Sequence, residues 1–242
     1  ELDLALLQGE IDLAVHSLKD MPMEVTPGLG LAVFSQREDP RDALVLPSGK
    51  EAWDGRGVIG CSSFRRKLQA EKLFPEARFK DIRGNVPTRL EKLDKGEYDA
   101  LILAAAGLRR LGLEERIFRC FEPEEMLPAA GQGTLAVTMR EEEDRELIRA
   151  LEAPAACRIA REERAFVQAL GGGCSSPVAA YGERKEGMLL LWGLYYDEKS
   201  GNYRIGSRKE ALEAATGMGA ALAEELREAA SRQQEPAGRQ GE

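Results

Sequence analysis

Histidine, closely spaced cysteines and long apolar runs are all scarce in this sequence. His16 is the single histidine, and the four cysteines are too far apart to form a CxxC pair. A zinc site built from Cys and His is therefore not expected, and neither is a disulfide framework. No segment approaches the roughly 18 apolar residues of a membrane helix, and none has the order of a signal peptide. We therefore expect a cytoplasmic protein with no membrane partner and no metal.

Basic residues are fewer than acidic ones. The 42 Asp and Glu outnumber the 34 Lys and Arg, which leaves a net charge of -8. Binding to nucleic acid needs a basic face, so this balance argues against nucleic acid as a partner, although basic groups can still cluster locally. A chain of 242 residues, 43% apolar and 31% charged, is an ordinary globular sequence long enough for two or three small domains.

Strands alternate with helices through the first two thirds of the chain, which predicts an α/β fold with a parallel sheet. Ser62 and Ser63 are candidate N-caps of one helix, and Pro87 stands in the first turn of another. The predicted elements are a helix over 1–8, strands over 11–15, 29–34, 43–46, 58–60, 78–82, 99–105 and 135–139, and helices over 64–74, 85–95, 141–151 and 155–170.

The last third of the chain differs in pattern. Residues 178–181, 188–196 and 203–208 predict an antiparallel meander, and an Ala-, Glu- and Leu-rich helix is predicted over about 209–231. The polar tail from Gln233 predicts disorder. The charged residues 37–40 are expected to form a turn between two neighbouring strands.

Lys19 and Asp20 follow directly on the predicted strand 11–15. Ligands of open α/β sheets bind outside the carboxyl ends of strands, so this pair could place one carboxylate in a cleft to manage a proton or a developing cation. A surface turn with a solvated ion pair explains the same residues. His16 is more often a structural histidine than a catalytic one.

Arginines open two successive βα units. Arg65 and Arg66 follow Ser62-Ser63, while Arg83 and Arg89 flank Gly84-Asn85. Each group would combine a helix N-terminus with guanidinium groups, and both features hold anions. Arg109 and Arg110 follow the next strand, on the same sheet edge. Together they indicate a polyanionic ligand, whereas each arginine alone is better explained as a solvated helix start.

Three glycines precede Cys174. They free the backbone and leave the thiol unshielded, so Cys174 is a candidate reactive thiol; a C-terminal helix cap with a buried cysteine is the alternative. Cys61, Cys120 and Cys157 are expected to be structural. The turn at 131–133 lacks the Lys-Ser/Thr of a P-loop, and no GxGxxG sequence occurs, so a nucleotide cofactor is not indicated.

The segments carrying these residues together resemble one family, hydroxymethylbilane synthase, also called porphobilinogen deaminase. They occur in the family's order over almost the whole chain, which makes the set far more specific than any single motif. The matching segments are DLAVHSLKDMP at 12–22, REDPRDA at 37–43, GCSSFRR at 60–66, IRGNVPTRL at 82–90, LDKGEYDA at 93–100, AGLRRLG at 106–112, LPAAGQG at 127–133 and GGGCSSP at 171–177.

The resemblance implies two periplasmic-binding-protein-like (type 2) α/β domains and a smaller α+β C-terminal domain. Domain 1 would comprise 1–36 and 131–152, domain 2 would comprise 37–130, and the cofactor-anchoring domain would comprise 153–242. The family's N-terminal segment, which carries part of the first sheet and some cofactor contacts, is expected to be missing. Cys61 and Phe64 stand where the family usually has Thr and Leu.

The resemblance also implies a reaction. A dipyrromethane cofactor would be held by a thioether to Cys174, and four porphobilinogen molecules would be added with loss of ammonia before hydrolysis frees hydroxymethylbilane. Asp20 matches the catalytic aspartate, which stabilises the azafulvene-type cation, and Lys19 matches a lysine beside the cofactor. The other matched residues are Ser62, Ser63, Arg65, Arg66, Arg83 and Gln132 for the cofactor, and Arg83, Arg89 and Arg110 for the substrate.

Two other functions remain open from the residues alone. A non-catalytic polycarboxylate-binding protein of the periplasmic-binding type would share the cleft and the arginines but would not need Asp20 or Cys174. A thiol-dependent enzyme with Cys174 as nucleophile would need a base, and His16 would have to serve. The family is usually monomeric, so a monomer with porphobilinogen as its partner is expected.

Overall fold

A computed structural model describes residues 1–142, 146–172 and 177–232. Within these residues the chain forms three sheets, each with its own helices. The predicted fold class is therefore confirmed: two α/β regions are followed by a smaller α+β region. The predicted domain boundaries stay a prediction, and the ten C-terminal residues for which disorder was predicted lie outside the described part of the chain.

The first sheet is a three-stranded antiparallel sheet in the order β1-β8-β2. Its middle strand comes from much later in the chain, so the segments around 14–34 and 135–140 fold together. The buried Leu6 of the first helix packs on this sheet beside Ala14 and Leu29. The elements are α1 (Leu2–Leu7), β1 (Ala14–Ser17), β2 (Leu29–Phe34) and β8 (Leu135–Arg140).

The second sheet has five strands in the order β5-β4-β6-β3-β7. Strand β4 is parallel to β5 and β6, as the βα pattern predicts, whereas β3 is antiparallel to both of its neighbours, so the sheet is mixed. The elements are β3 (Asp42–Val45), β4 (Gly57–Gly60), α2 (Phe64–Leu73), β5 (Ala77–Lys80), α3 (Val86–Asp94), β6 (Ala100–Ala104), α4 (Ala105–Arg110) and β7 (Ile117–Cys120).

The third sheet is the predicted antiparallel meander, β9-β10-β11, covered by two helices. Its core includes Phe166 and Leu191, both fully buried. Gly193 faces Phe166 so closely that a Cβ there would lie 2.3 Å from the ring. The elements are α6 (Pro154–Ala169), β9 (Ala179–Lys185), β10 (Met188–Asp197), β11 (Asn202–Ala211) and α7 (Met218–Arg232). The short helix α5 (Glu146–Arg149), which precedes them, instead packs on the first sheet through Ile148.

Four local predictions were wrong. The last helix begins at Met218 and not near 209, because Lys209 and Glu210 extend the β10–β11 ladder. The first strand covers Ala14–Ser17 and so includes His16. Of the helix predicted over 141–151, only Glu146–Arg149 is helical among the described residues. Residues 37–40 form no turn between neighbouring strands, because β2 and β3 belong to different sheets and this segment crosses between them.

Candidate functional site

A cleft of about 980 Å³ lies where the first two sheets face each other. Its walls come from the loop after β1, the carboxyl ends of β4 and β6 with the loops that follow, the loop before α3, and residues 129–135. This is the position at which open α/β sheets bind ligands, and the volume suits a ligand larger than a single pyrrole. The charged residues in the lining are Lys19, Asp20, Arg65, Arg66, Arg89 and Arg110.

The charge of this lining opposes that of the whole chain. Five of its charged side chains are cationic, and among the described lining residues Asp20 is the one carboxylate. The chain as a whole carries a net charge of -8. A locally basic cleft in an acidic protein attracts a polyanion, and the single carboxylate can face whatever positive charge develops inside it.

Lys19 and Asp20 lie in a single 3₁₀ turn, Leu18–Asp20, that follows β1 directly. Leu18 is fully buried, and its backbone N–H donates to Thr134 at 3.0 Å. Met21 is buried as well, and its N–H closes the turn on the Leu18 carbonyl. The apolar side chains thus anchor the turn, while the half-buried Lys19 and the exposed Asp20 line the cleft.

Lys19 has an altered acidity. Burial of its ammonium and the nearby Arg66 guanidinium lower the pKa of Lys19 to about 8, against the opposing attraction of Asp20 and Asp42. Lys19 therefore changes charge just above neutral pH, where an ordinary lysine stays protonated. Perturbed groups of this kind concentrate at functional sites.

Asp42 holds two of the predicted cofactor ligands. Its carboxylate accepts from Arg65 Nη1 at 2.8 Å and from Arg66 Nη2 at 2.7 Å, and all three side chains are buried. Burial alone would raise the pKa of Asp42, but the charges and hydrogen bonds of the two guanidinium groups outweigh it and hold that pKa well below its usual range. Asp42 thus fixes both arginines at the cleft wall. Their role toward the cofactor stays a prediction.

Gln132 joins the same network from the loop between the sheets. Its Nε2 donates to Asp42 Oδ1 at 2.9 Å and to the Pro40 carbonyl at 2.6 Å. Its Oε1 is buried and, within the described part of the chain, accepts no hydrogen bond from protein. Gln132 also lines the cleft, so a buried acceptor without a partner among the described residues lies at the cleft wall.

Two helix N-termini open toward the cleft. Ser63 caps α2 by accepting from Arg66 N at 3.4 Å, and Asn85 caps α3 by accepting from Thr88 N at 3.0 Å. The other predicted cap, Ser62, instead ties the ends of β4 and β5 together: its hydroxyl donates to the Ile82 carbonyl and accepts from the Ile82 N–H. Ser62 and Ser63 both line the cleft.

The remaining predicted arginines divide into two groups. Arg89 and Arg110 line the cleft, where Arg89 Nε donates to the Gly84 carbonyl and Arg110 Nη2 to the Gly133 carbonyl. Arg83 is exposed and outside the described lining. Arg109 pairs with Asp39 at 3.2 Å. The assignment of Arg83, Arg89 and Arg110 to substrate carboxylates stays a prediction.

Cys174 lies outside the described residues. His16 lies on β1, and its Nε2 is 3.0 Å from Thr138 Oγ1 across the sheet. That contact fits the structural role expected for this histidine. Cys61 and Cys157 are buried and Cys120 is half-buried. Within the described residues no group of three or more His, Cys, Asp or Glu could hold a metal ion.

Sequence reasoning missed the buried ion pairs that build the site. Asp42 lies within the motif at 37–43, but no role was predicted for it. Arg37 Nη1 bonds Glu163 Oε1 at 2.6 Å, and Glu163, fully buried, also accepts from the N–H groups of Gly131 and Gly182. The signal for a buried ion pair was a charged residue inside an apolar strand or helix, because charged residues are rarely buried unless they are paired.

Two family models match the chain. Residues 1–149 match "Porphobilinogen deaminase, dipyromethane cofactor binding domain", and residues 157–228 match "Porphobilinogen deaminase, C-terminal domain". The chain belongs to the porphobilinogen deaminase family. As a member it is a transferase of tetrapyrrole biosynthesis, and the cleft residues of its first two sheets lie within the cofactor-binding match. Cys174 falls within the second match.

Curated relatives agree with this assignment. The chain is 52% identical over 205 residues to porphobilinogen deaminase of Acetivibrio thermocellus, covering 85% of this chain and 70% of that protein. It is 50% identical over 216 residues to porphobilinogen deaminase of Alkaliphilus oremlandii, covering 88% and 73%. The chain thus spans about seven tenths of the length of these relatives.

Solved structures add only a distant likeness. The periplasmic VFT2 domain of Bordetella pertussis BvgS is 19% identical, with coverage of 60% of this chain and 61% of that domain, and a TM-score of 0.34. A similarity at this level does not contribute to the family assignment. None of the helices in the described residues is long and apolar enough to cross a membrane.

Proposed function

We propose that this protein is a hydroxymethylbilane synthase, which joins four porphobilinogen molecules with loss of ammonia and releases the linear tetrapyrrole by hydrolysis. The cleft carries this proposal: among the described residues, five cationic side chains and one carboxylate line it. Porphobilinogen has two carboxylates, so a growing chain of pyrroles is a polyanion that needs such a lining. Cytoplasmic location and a monomeric state stay predictions.

The cleft fits a covalently held dipyrromethane. Arg65, Arg66 and the capped N-terminus of α2 would hold its carboxylates, with Ser62 and Ser63 at the same end of β4. The Gln132 Oε1, for which the described residues provide no donor, would accept from a pyrrole N–H. Attached to Cys174, the group would supply the primer to which pyrroles are added, and the thioether would keep the growing chain bound between additions.

Substrate binding and catalysis would use the other charged side chains of the lining. Arg89 and Arg110, with the exposed Arg83 outside the described lining, would bind the acetate and propionate of incoming porphobilinogen. Asp20 would face the positive charge that develops on the substrate as ammonia leaves. A fixed carboxylate in a restricted cleft stabilises such charge more than water does. Lys19, the residue before Asp20, would bind a further carboxylate as long as its amino group is protonated.

We also propose the domain boundaries that the sequence predicts, because they agree with the sheet to which each strand belongs. Strands β1, β2 and β8 come from 1–36 and 131–152, and strands β3 to β7 all come from 37–130. Residues 153–242 would form the cofactor-anchoring domain, which carries β9 to β11 with α6 and α7. The active cleft would then lie between the first two domains.

The affinity for porphobilinogen is expected to depend on the charge of Lys19. Because the pKa of Lys19 is about 8, its ammonium is present below that pH and lost above it. Affinity should therefore fall as pH rises from 7 to 9. In Lys19→Arg the guanidinium stays charged throughout, so the step should vanish. Isothermal titration at several pH values measures the affinity of the parent and of Lys19→Arg. The same fall in affinity between pH 7 and 9 in both proteins would contradict this role of Lys19.

The intact mass of the purified protein tests the proposed function directly. We expect the mass of the chain plus one dipyrromethane, and the loss of that addition in Cys174→Ala. Cys120→Ala is the matched control, because Cys120 is a half-buried thiol on β7 and should leave the addition in place. An acidic aldehyde colour test, which stains a bound dipyrrole, should follow the mass in all three proteins.

Ammonia release from porphobilinogen completes the test. The protein with the added mass should release ammonia, and Cys174→Ala should not. A protein that binds porphobilinogen with neither added mass nor ammonia release would instead be the non-catalytic polycarboxylate-binding protein, and the proposal would be wrong.

A further inference from the structure

Arg164, on α6 of the C-terminal region, reaches the loop that carries Lys19 and Asp20. Its Nη1 lies 3.4 Å from the carbonyl oxygens of Leu18 and of Met21. Its Nη2 lies 2.5 Å from the Pro22 carbonyl oxygen and 3.2 Å from that of Met23. One guanidinium therefore donates to four carbonyls of a six-residue loop that is more than 140 residues away in sequence.

The apolar side of the same loop packs on the same helix. Leu18 and Met21 form a buried cluster with Cys157 and Ala160 of α6, which also includes Phe34 and Ala136. Gly131 closes the other side, since a Cβ there would lie 2.7 Å from the Leu18 side chain. With its carbonyls and its apolar side chains turned toward α6, the loop presents Lys19 and Asp20 to the cleft.

We propose that Arg164 is a positioning residue, which holds the Lys19–Asp20 loop from the C-terminal region and so sets where Asp20 stands in the cleft. This inference rests on the proposed function, because Asp20 is assigned its catalytic role there. Helix α6 ends at Ala169, shortly before Cys174. The same rigid helix therefore leads to the proposed cofactor anchor and holds the proposed catalytic carboxylate.

The arrangement requires arginine in particular. A guanidinium has five N–H donors in a fixed plane, so it can serve several carbonyls at once and fix their relative positions. A lysine has three donors at one point and would hold fewer of them. Arg164 is 9% exposed, so water does not replace the lost donors easily when the side chain is shortened.

Hydrogen exchange measured by mass spectrometry, together with steady-state kinetics, tests the proposal in the purified protein. In Arg164→Gln we expect amide exchange of residues 17–23 to rise about 10-fold or more, with exchange in α6 and in β9 to β11 unchanged. The kcat for ammonia release should fall roughly 10²-fold with little change in KM, as for a misplaced catalytic group. Arg164→Lys should restore part of the protection of residues 17–23 from exchange and part of kcat.

Arg158→Gln is the matched control. Arg158 lies on the same helix and also donates to two carbonyls, but those of Leu212 and Glu213 within the C-terminal region. It should leave both the 17–23 exchange and kcat unchanged. Unchanged loop exchange in Arg164→Gln would overturn the proposal. Amide exchange raised equally throughout α6 would also overturn it, and so would faster exchange of residues 17–23 with an unchanged kcat.

The two proposals can fail separately. A parent protein that releases no ammonia would contradict the proposed function. The exchange data would then decide the role of Arg164 alone: a rise confined to 17–23 supports it, and no rise overturns it.

Discussion

Asp20→Asn is expected to lower the rate of ammonia release from porphobilinogen by roughly 10²- to 10³-fold, the usual effect of removing one preorganised electrostatic group. Asparagine keeps the shape of the side chain but has no negative charge to face the cation that develops on the substrate as ammonia leaves. Asp20 is exposed and lies in a short turn anchored by Leu18. We therefore expect the Tm and the cofactor mass to match those of the parent.

Asp12→Asn is the matched control for this variant. Asp12 is an exposed aspartate whose ion pair with Arg140 lies at the surface, 3.0 Å long, and it does not line the cleft. Such pairs contribute little to stability, and this one has no part in the proposed reaction. A rate within twofold of the parent in Asp20→Asn would remove Asp20 from the mechanism.

A second readout follows from the charge of Asp20. Its carboxylate raises the pKa of Lys19, in opposition to burial and Arg66, which lower it. In Asp20→Asn the pKa of Lys19 should therefore fall below about 8. The pH at which porphobilinogen affinity drops should move down with it, and isothermal titration can follow that movement even where turnover is lost.

Asp42→Asn is expected to destabilise the fold by about 3–5 kcal/mol, because it leaves two buried guanidinium groups without their carboxylate. Arg65 and Arg66 are 4% and 7% exposed, so neither can regain full hydration in the folded state. For a chain of this size the Tm should fall by roughly 10 °C. Thermal and urea unfolding measure the difference.

Asp81→Asn is the control for Asp42→Asn. Asp81 also pairs with a basic side chain, Lys67, but its own side chain is exposed. Its loss should leave the Tm unchanged within error. If Asp42→Asn matched the parent in Tm, the buried arginines would have to find other partners, and Asp42 would not be the group that holds them.

The pH dependence of this stabilisation has a definite sign. The pKa of Asp42 is held below its usual range in the folded protein, whereas in the unfolded chain it lies near the ordinary value of about 3.9. Its contribution is therefore complete above that ordinary value and is lost as the pH falls through the lower, folded value. The difference in stability between parent and Asp42→Asn should be constant from about pH 5 to 8 and shrink only below about pH 4.

Local sequence chemistry predicted much of the fold. Apolar periodicity located the strands β4 and β6, and Ser63, one of the two candidate serines, is the cap of α2. The ordered motifs identified the family, which the two family models confirm. The end of β11 was misplaced because Lys209 and Glu210 have helical propensity, and their pairing with β10 depends on a partner strand.

By itself, the sequence determined the type and order of most elements, although not α4 or β7, together with the family and the identity of the charged residues at the carboxyl ends of strands. These depend on spacing, capping and composition, which are properties of neighbouring residues. Only the tertiary structure decided that Asp42 is shared by Arg65 and Arg66, that the Gln132 oxygen has no partner among the described residues, and that Arg164 reaches the Asp20 loop. Each of these depends on burial and on contacts between residues distant in the chain, for which linear spacing carries no signal.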